Sequence, residues 1–358
     1  MFNKNETTKV KGIAILLLLF HHLFYSPERV QQSGIKFLLL SESLIEPVAT
    51  AARICVWVFV FLSAYGLSYQ YKRHKGEENP MQFILKHWIS LMKSYWIIYV
   101  IIFILYRIFV GNPLQIYEND LKKVFLDFMG WADFFHTPML TGVWWYMCFA
   151  QLLIIVMPIV YIYCEKLGTA GFIIGFLLLQ YMPDGIQSIY GGKYSNYFLI
   201  VILAVICMKT QFFDQVLKVK ENRTKNTIEF IVEFLMIVIL LTFKYKFKET
   251  DQWQINSVVS AISAFLIIIL VSKYFRRKNI TKTLQFLGKY SGDIFMLHAF
   301  FYTFCPGMIY WSHNALLSYL TLLGVSLAIA IIIEKIKQGL HYDEMIGRVA
   351  QNITKALK

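Results

Sequence analysis

The stretch KGIAILLLLFHH, residues 11–22, combines one lysine, nine residues without charge and two adjacent histidines. Its apolar run is typical of the centre of a membrane-spanning helix, which needs about 20 residues. In such a helix Lys11 and His22 are three turns and about 20° apart, so they share one face and lie about 16 Å apart along the axis. His21 points about 80° to the side of that face. The stretch therefore predicts a spanning helix that carries polar groups inside the bilayer.

The composition of the whole chain indicates the same class of protein. Of its 358 residues, 57% are hydrophobic, 17% aromatic and 16% charged, and the mean hydropathy is +0.53. Soluble domains carry about 25% charged residues. We therefore predict an all-α, polytopic integral membrane bundle. Residues 1–358 are expected to form a single membrane-embedded domain with a short basic tail at 335–358, because no segment without a span is long enough to fold by itself.

Hydropathy divides the chain into about ten membrane spans. Most Lys and Arg residues fall in segments that lie inside if the N-terminus is cytoplasmic, and cytoplasmic loops are the ones that carry an excess of basic residues. Both termini are therefore predicted to be cytoplasmic, in a multi-pass protein of the plasma membrane. The predicted spans are 10–25, 52–70, 88–110, 141–164, 167–183, 195–210, 227–246, 253–274, 284–304 and 315–334.

The formal net charge of +13 has the same explanation. In a soluble chain this charge suggests nucleic acid as a partner, whereas here the basic cytoplasmic loops account for it. No nucleic-acid partner is predicted. The five cysteines occur singly in apolar runs, without the spacing of metal ligands. We interpret them as packing residues and predict no metal site.

Two connections on the predicted outer side are longer than a simple turn requires. Residues 26–51 include GIKFLLLSESLIEP, which predicts a short helix lying at the outer surface. Residues 111–140 include the aromatic-rich, amphipathic segment VFLDFMGWADFFHTP. Their aromatic residues are interpreted either as interfacial anchors or as a roof over a site on the outer face.

The histidines of the first span are the leading candidates for chemistry. With Lys11 at the cytoplasmic boundary, His22 lies past the middle of the membrane, where a polar side chain is costly unless it faces protein or water. A neutral imidazole accepts a proton from a hydroxyl. A cation at the inner end of the same face suits an anionic group arriving from the cytoplasm. A histidine that only hydrogen-bonds a neighbouring helix is the alternative.

Four later segments extend the pattern. They are RICVWVFVFLSAYGLSYQYKR (53–73), FILKHWISLMKSYW (83–96), VWWYMCFAQLLI (143–154) and LGKYSGDIFMLHAFF (287–301). Together with KGIAILLLLFHH, these segments resemble, in the same order, the motifs of the membrane acyltransferase-3 family. The opening motif of that family places a basic residue, a Gly-Ile-Ala-type stretch and a histidine at this spacing. The resemblance covers essentially the whole chain.

The resemblance implies an activity and its main residues. Members of this family pass acyl groups from cytoplasmic acyl-CoA to hydroxyls on glycans or other acceptors at the outer face. His22 matches the essential histidine of the family, with His21 in the neighbouring position, and acts as general base or as acyl carrier. Lys11 stands where the family has arginine or lysine. Acetyl-CoA or another acyl-CoA is implied as the donor substrate, with no permanently bound cofactor.

Basic residues near the cytoplasmic side are the candidates for binding the donor phosphates. Lys93 lies one to two turns inside the third predicted span. The chain departs from the family at His87 and Ser90, where the family has an Arg-x-x-Arg pair, and lysine lacks the bidentate fork of arginine. Topological charge is the alternative for the basic residues in the loop before that span. The residues assigned to acyl-CoA binding are Lys11, Lys86, His87, Lys93, Lys72, Arg73 and Ser63.

Five further residues are candidates for binding the acceptor or supporting the catalytic histidine. Asp293 and His298 share the ninth predicted span, where two ionisable groups are costly. They either bind the acceptor or orient the catalytic histidine, or else pair with each other or with Lys289. Trp144, Trp145 and Tyr146, at the outer end of the fourth span, either stack on a sugar ring or belong to the interfacial aromatic belt.

The sequence thus predicts an integral-membrane O-acyltransferase, and in particular an O-acetyltransferase. Its acceptor is predicted to be a hydroxyl of a surface polysaccharide, a lipid-linked glycan or a similar molecule of a bacterial cell envelope. The main alternative is a transporter or flippase for a lipid-linked sugar, in which the histidines form a proton relay. A receptor or scaffold with vestigial catalytic residues is a third. The predicted partners are the lipid bilayer, acyl-CoA, the glycan acceptor and a second copy of the chain.

Overall fold

The computed structural model describes residues 2–37, 41–180, 194–217, 223–246 and 253–355, and this part of the chain is built from helices without a β-strand. Within a helix the backbone N–H and C=O groups between the two ends bond to each other, as lipid requires. The predicted all-α fold is confirmed. The helices are α1 (Lys4–Phe24), α2 (Pro27–Ser33), α3 (Glu42–Ala52), α4 (Cys55–His74), α5 (Pro80–Phe109), α6 (Leu121–Phe128), α7 (Trp145–Leu167), α8 (Ala170–Gln180), α9 (Phe198–Lys209), α10 (Phe212–Val216), α11 (Arg223–Lys246), α12 (Trp253–Tyr274), α13 (Lys278–Lys289), α14 (Ser291–Phe304), α15 (Pro306–Ile309), α16 (Ala315–Gly339) and α17 (Tyr342–Lys355).

Seven helical segments in the described part of the chain are long and apolar enough to cross a membrane. The fifth and sixth predicted spans correspond to the shorter helices α8 and α9, and the fifth ends outside the described residues. The ninth is divided at Tyr290 between α13 and α14. The total of ten spans therefore stays a prediction. The seven segments are Lys4–Phe24, Glu42–His74, Pro80–Phe109, Gly142–Leu167, Thr224–Lys246, Ile255–Tyr274 and Ala315–Gly339.

Side-chain caps fix the starts of α1 and α5, the two helices that carry the predicted catalytic histidines and four of the seven residues assigned to acyl-CoA binding. The Asn3 side chain accepts hydrogen bonds from the N–H groups of Asn5 and Glu6 at the start of α1. At the start of α5, the Asn79 side chain accepts from the Gln82 N–H while the Gln82 side chain accepts from the Asn79 N–H. Such reciprocal capping satisfies N–H groups that have no partner within the helix. The capping side chains of Asn3 and Asn79 therefore fix where α1 and α5 begin.

The chain packs as two compact units, each assembled from stretches that are separated in the sequence. The first unit comprises residues 1–27, 39–70 and 159–291. The second comprises residues 28–38, 71–158 and 292–358. The expectation of one domain over residues 1–358 stays a prediction.

In the first unit, α1 packs against α3, α12 and α13. Its buried face includes Val10, Ala14 and Leu18, which are spaced four residues apart and are at most 1% exposed. This spacing places apolar side chains on one side of a helix.

A pair of glycines allows α1 and α13 to cross at very short range. A Cβ atom added to Gly12 would lie 2.1 Å from the carbonyl oxygen of Leu284, and one added to Gly288 would lie 1.8 Å from that of Thr8. Because both obstacles are backbone atoms, no side-chain rotation relieves them. Small residues at crossings let helix backbones approach in membrane proteins. Both glycines belong to segments that carry the family resemblance, and the structure shows that these two segments touch.

In the second unit, a buried carboxyl group joins α5 to the connection that follows it. Asp127, in α6, accepts hydrogen bonds from the Tyr117 hydroxyl at 2.6 Å and from the Leu140 N–H at 2.8 Å. The Tyr95 hydroxyl, on α5, donates to the backbone carbonyl of Asp127 at 2.7 Å. Tyr99 extends the network, since its hydroxyl lies 3.0 Å from that of Tyr117. These bonds hold the 111–140 connection against α5.

A buried glutamine makes a second link to the same connection. The Gln151 amide group, on α7, donates to the carbonyl oxygens of Met129 and Gly130, both at 3.1 Å, and its carbonyl oxygen accepts from the Trp88 indole at 2.6 Å. A fully used amide of this kind tolerates burial, whereas an unsatisfied one is costly. Of the amphipathic segment VFLDFMGWADFFHTP (124–138), residues 124–128 lie in α6 and the rest follows as turns and irregular backbone, tied to its neighbours by polar side chains. Of the stretch GIKFLLLSESLIEP (34–47), predicted as a short helix, residues 42–47 belong to α3, residues 34–37 are not helical, and residues 38–40 lie outside the described residues. Its position at the outer surface stays a prediction.

Candidate active site

His21 is anchored by a hydrogen bond to another helix of the first unit. Its side chain is 8% exposed, and its Nδ1 atom lies 2.8 Å from the carbonyl oxygen of Ala49, on α3. A carbonyl only accepts, so the proton of this bond lies on Nδ1. In the neutral ring, Nε2 is then the atom that accepts a proton. The His21 ring also stacks on Tyr25, with 4.8 Å between centroids.

His22 lies beside this anchored ring and is half-buried. Its ring centroid is 4.9 Å from that of His21 and 6.2 Å from that of Tyr25, and both ring pairs meet edge to face. α1 is continuous from Lys4 to Phe24, so the predicted placement of Lys11 and His22 on one helix face is retained. The catalytic role of His22 stays a prediction.

At the other end of α1, two lysines occupy different surroundings. Lys11 is half-buried. Lys9 is 1% exposed, its Nζ atom lies 2.7 Å from Glu6 Oε2, and it donates to the carbonyl oxygen of Ser272 at 3.3 Å. Lys9 lines a polar cavity of about 410 Å³ in the first unit together with Arg276. The sequence gives Lys9 no role beyond the general excess of basic residues on the predicted cytoplasmic side, although it stands two residues before Lys11.

Three of the residues assigned to the donor lie on α4. Ser63 is half-buried, whereas Lys72 and Arg73 are exposed in the last turn of the helix. Basic residues in a last turn interact favourably with the helix dipole. The exposure of these two residues is equally compatible with topological charge, so their assignment stays a prediction.

Lys86 and Lys93 line a larger cavity in the second unit. It has a volume of about 590 Å³ and lies between α5 and α17. Each lysine already has a carboxylate partner: Lys86 Nζ is 2.7 Å from Glu78 Oε1, and Lys93 Nζ is 2.8 Å from Asp343 Oδ1. An anionic ligand in this cavity therefore competes with these carboxylates.

The start of α17 holds Lys93 at a second point. The Tyr342 hydroxyl donates to the backbone carbonyl of Lys93 at 2.9 Å. Burial raises the pKa of Tyr342, so the hydroxyl keeps its proton and remains a donor. The tail at 335–358, predicted as a short basic extension, thus contributes a helix and an acidic side chain to the wall of the cavity.

His87 does not line this cavity, and its contacts lie within α5. Its Nδ1 atom lies 2.9 Å from the carbonyl oxygen of Phe83, one turn earlier in α5, and its ring packs against the Phe83 ring at 4.1 Å between centroids. Neither His87 nor its neighbour Trp88 lines the cavity, whereas Ser90 does. The structure therefore brings Lys86, Ser90 and Lys93 together.

Asp293 and His298 both lie on α14, in the second unit. Asp293 Oδ2 is 3.9 Å from Lys337 Nζ, and this lysine is closer to Glu334, at 2.9 Å. His298 is fully buried. Its Nδ1 atom lies 2.7 Å from the Phe295 carbonyl oxygen, so its proton is also on Nδ1. Their predicted roles toward the acceptor stay predictions.

Trp144, the first of the three predicted aromatic residues, is a core residue in this structure. It is 1% exposed, and its indole N–H donates to the carbonyl oxygen of Met296 at 3.1 Å. Its ring packs edge-on against Tyr95 at 5.1 Å. Trp145 and Tyr146 are half-buried. Of the three, these two have the exposed surface that stacking on a sugar requires.

Comparison with known proteins gives one result. A family model described as an acyltransferase domain matches residues 10–335. No curated protein and no solved structure matches this chain.

Proposed function

The chain belongs to the acyltransferase-3 family, and we propose that this membrane acyltransferase moves an acetyl group from cytoplasmic acetyl-CoA to a hydroxyl of an extracytoplasmic glycan. The family match and the helical bundle support a membrane acyltransferase. The proposal adds to this the acetyl-CoA donor, the transfer of an acetyl group, the glycan acceptor and the role of the histidines.

The observation that carries the proposal is the anchored histidine pair in α1. The bond from His21 Nδ1 to the Ala49 carbonyl oxygen fixes one ring, and His22 is the adjacent, half-buried ring. A half-buried imidazole is partly dehydrated but still open to a substrate. General bases work best when they are positioned and partly shielded from water. We therefore assign His22 as the base and His21 as a positioning residue.

The transfer step balances without a further co-reactant. The neutral His22 ring accepts the proton of the acceptor hydroxyl while the hydroxyl oxygen attacks the thioester carbonyl. The carbon–sulfur bond breaks, the ester forms, and the CoA thiolate leaves and takes up the proton from the imidazolium. In the alternative route the imidazole nitrogen first carries the acyl group, which the hydroxyl then accepts.

Basic side chains at the predicted cytoplasmic side would hold the donor. CoA carries several phosphate charges, and charge-assisted hydrogen bonds are the strong ones in recognition of phosphate. Lys11, on α1, and the α5 residues Lys86 and Lys93 are each proposed as a phosphate partner. The two lysines of the second unit meet the donor only if its phosphates replace Glu78 and Asp343.

A transfer assay with labelled acetyl-CoA tests the proposal. Purified protein in detergent, supplied with cell-envelope glycans and acetyl-CoA labelled in the acetyl group, is expected to move label onto glycan. The His22→Ala variant is expected to show no transfer while its thermal unfolding stays close to that of the unaltered protein. If the unaltered protein neither binds CoA nor labels any glycan, the proposal is wrong. If His22→Ala fails to fold, His22 is a structural residue.

A further inference from the structure

A second polar cavity of the first unit is lined by two cations. Its volume is about 270 Å³, close to the lower end of the usual range of about 300–1,000 Å³ for small-molecule pockets. Arg53, at the junction of α3 and α4, and Lys244, in the last turn of α11, both line it. Among the described residues that line it, none is a carboxylate. The remaining polar lining consists of neutral amides and hydroxyls, from Thr50, Asn196, Tyr245, Asn256, Ser257 and Ser260.

An aromatic ring holds one of the two cations in place. Lys244 Nζ lies 4.0 Å from the centroid of the Trp57 ring, and Trp57 is itself 6% exposed and packed against Tyr197. A cation over the face of an indole is attracted by the ring quadrupole. This contact positions the ammonium group but does not neutralise its charge.

The position of these cations is not explained by topology. On the predicted orientation both Arg53 and Lys244 lie at the outer ends of their helices, whereas basic residues concentrate on the cytoplasmic side. Two like charges at one cavity repel each other, and the charge of Lys244, which is half-buried while Arg53 is exposed, is costly without an anion. The arrangement is favourable when an anionic group occupies the cavity between them.

The cavity adjoins the anchor of the histidine pair. Thr50 and Ala51 line it, and they directly follow Ala49, whose carbonyl oxygen holds His21. A ligand bound in the cavity therefore lies beside the segment that positions the proposed base.

From this geometry we infer that the Arg53–Lys244 cavity is an acceptor subsite for an anionic glycan, that is, a saccharide or polyol chain bearing carboxylate or phosphate groups. The two cations bind the anionic group, and the amides and hydroxyls bind neighbouring hydroxyls. The cavity volume of about 270 Å³ is large enough for one saccharide or polyol unit of such a chain. The inference rests on the proposed function, since it names the class of acceptor for the same histidines.

Binding measurements on the full chain in a zwitterionic detergent test the subsite without relying on turnover. The probes are a short oligogalacturonide, a short poly(glycerol phosphate) and, as the neutral counterpart, a short dextran oligomer. At least one anionic probe is expected to bind more tightly than dextran. Arg53→Gln and Lys244→Gln are each expected to weaken that binding about tenfold, the effect of losing one hydrogen bond to a charged group. Lys244→Arg is expected to restore it.

Lys246→Gln is the matched control, because it removes the same charge from the same end of α11 at an exposed position outside the cavity. It is expected to leave binding unchanged. Equal binding of dextran and both anionic probes, or equal losses in Lys244→Gln and Lys246→Gln, would overturn the subsite. So would binding of phosphatidylglycerol micelles alone, which would make the cavity a lipid site. Anionic binding that needs both cations, in a protein without acyl transfer, would retain the subsite and reject the proposed function.

Discussion

The Nδ1 atom of His21 lies 2.8 Å from the carbonyl oxygen of Ala49. This bond links α1 to α3, which are separated in the sequence, and it places the ring proton on Nδ1. The fold therefore sets the orientation and the tautomer of His21, and His22 is the more accessible of the two adjacent histidines. The two rings have different tasks in the proposed reaction, and substitution separates them.

Replacing His21 by asparagine keeps a side-chain N–H near the position of Nδ1 and removes the ring nitrogen Nε2. If His21 only positions its neighbour, His21→Asn is expected to keep most of the kcat that His21→Ala loses, whereas His22→Asn loses at least about a hundredfold, the usual contribution of a general base. Acetyl transfer under saturating donor measures all three. Loss of kcat in His21→Asn with retention in His22→Asn would reverse the two assignments.

Replacing Lys11 tests whether the predicted cytoplasmic end of α1 binds the acyl-CoA donor. Lys11→Ala is expected to raise KM for acetyl-CoA about tenfold with a smaller change in kcat, because a contact to phosphate is made equally before and during the reaction. Lys4→Ala, which removes an exposed charge from the first turn of α1, is the control. An unchanged KM in Lys11→Ala would show that Lys11 does not hold the donor.

The ion pair between Lys93 and Asp343 predicts opposite effects for its two members. Lys93→Met is expected to raise KM for acetyl-CoA, since it removes a proposed phosphate partner. Asp343→Asn is expected to lower KM by severalfold, because the lysine no longer has to exchange a carboxylate for phosphate. Glu344→Gln, one residue further along α17 and outside the cavity, is expected to change neither. If Asp343→Asn raises KM, the pair supports the wall of the cavity and does not compete with the donor.

The crossing of α1 and α13 predicts a large loss of stability from very small substitutions. Gly12→Ala or Gly288→Ala places a Cβ against a backbone carbonyl, and overpacking of this kind costs about 1–3 kcal/mol or more. Gly66→Ala, in α4, meets nothing within 4 Å and is expected to be neutral or slightly stabilising, since alanine favours helix. Thermal unfolding in detergent compares the three. Equal stability of Gly12→Ala and Gly66→Ala would mean that the two helices do not cross this closely.

Asp127 predicts a pH dependence of stability in the second unit. Burial raises its pKa from 3.8 to about 6, against the opposing effect of its hydrogen bonds from Tyr117, Leu140 and Tyr95. The folded chain therefore binds this proton more tightly than the unfolded chain, so this group's contribution to stability is largest below about pH 4 and falls as the pH rises to about 6. The shift corresponds to a change on the order of 3 kcal/mol. Unfolding between pH 4 and pH 7 measures it.

Asp127→Asn is expected to remove this slope, because the amide does not titrate. Glu77→Gln, which removes a carboxylate from an exposed site, is expected to keep it. A slope that persists unchanged in Asp127→Asn would assign the pH dependence to other groups.

The helical fold and its membrane class could be read from the chain, because hydropathy and charge bias are local properties. The same is true of α1, whose cap, apolar run and histidines all lie within residues 3–22. The count of spans was less accessible, since α8, α9 and α14 are shorter than a simple span. Trp144 shows a second limit: its sequence position fits an interfacial belt, but its burial depends on Tyr95 and Met296.

By itself the sequence determined that this is an all-helical membrane protein of the acyltransferase-3 type with a histidine pair and a lysine on its first helix, because each of these features is written in contiguous residues. Only the tertiary structure decided that Gly12 meets α13, that His21 is held by Ala49, and that Lys93 is held by Asp343. Each of these contacts joins residues that are distant in the chain. Their partners are selected by the packing of whole helices, which no local pattern of residues specifies.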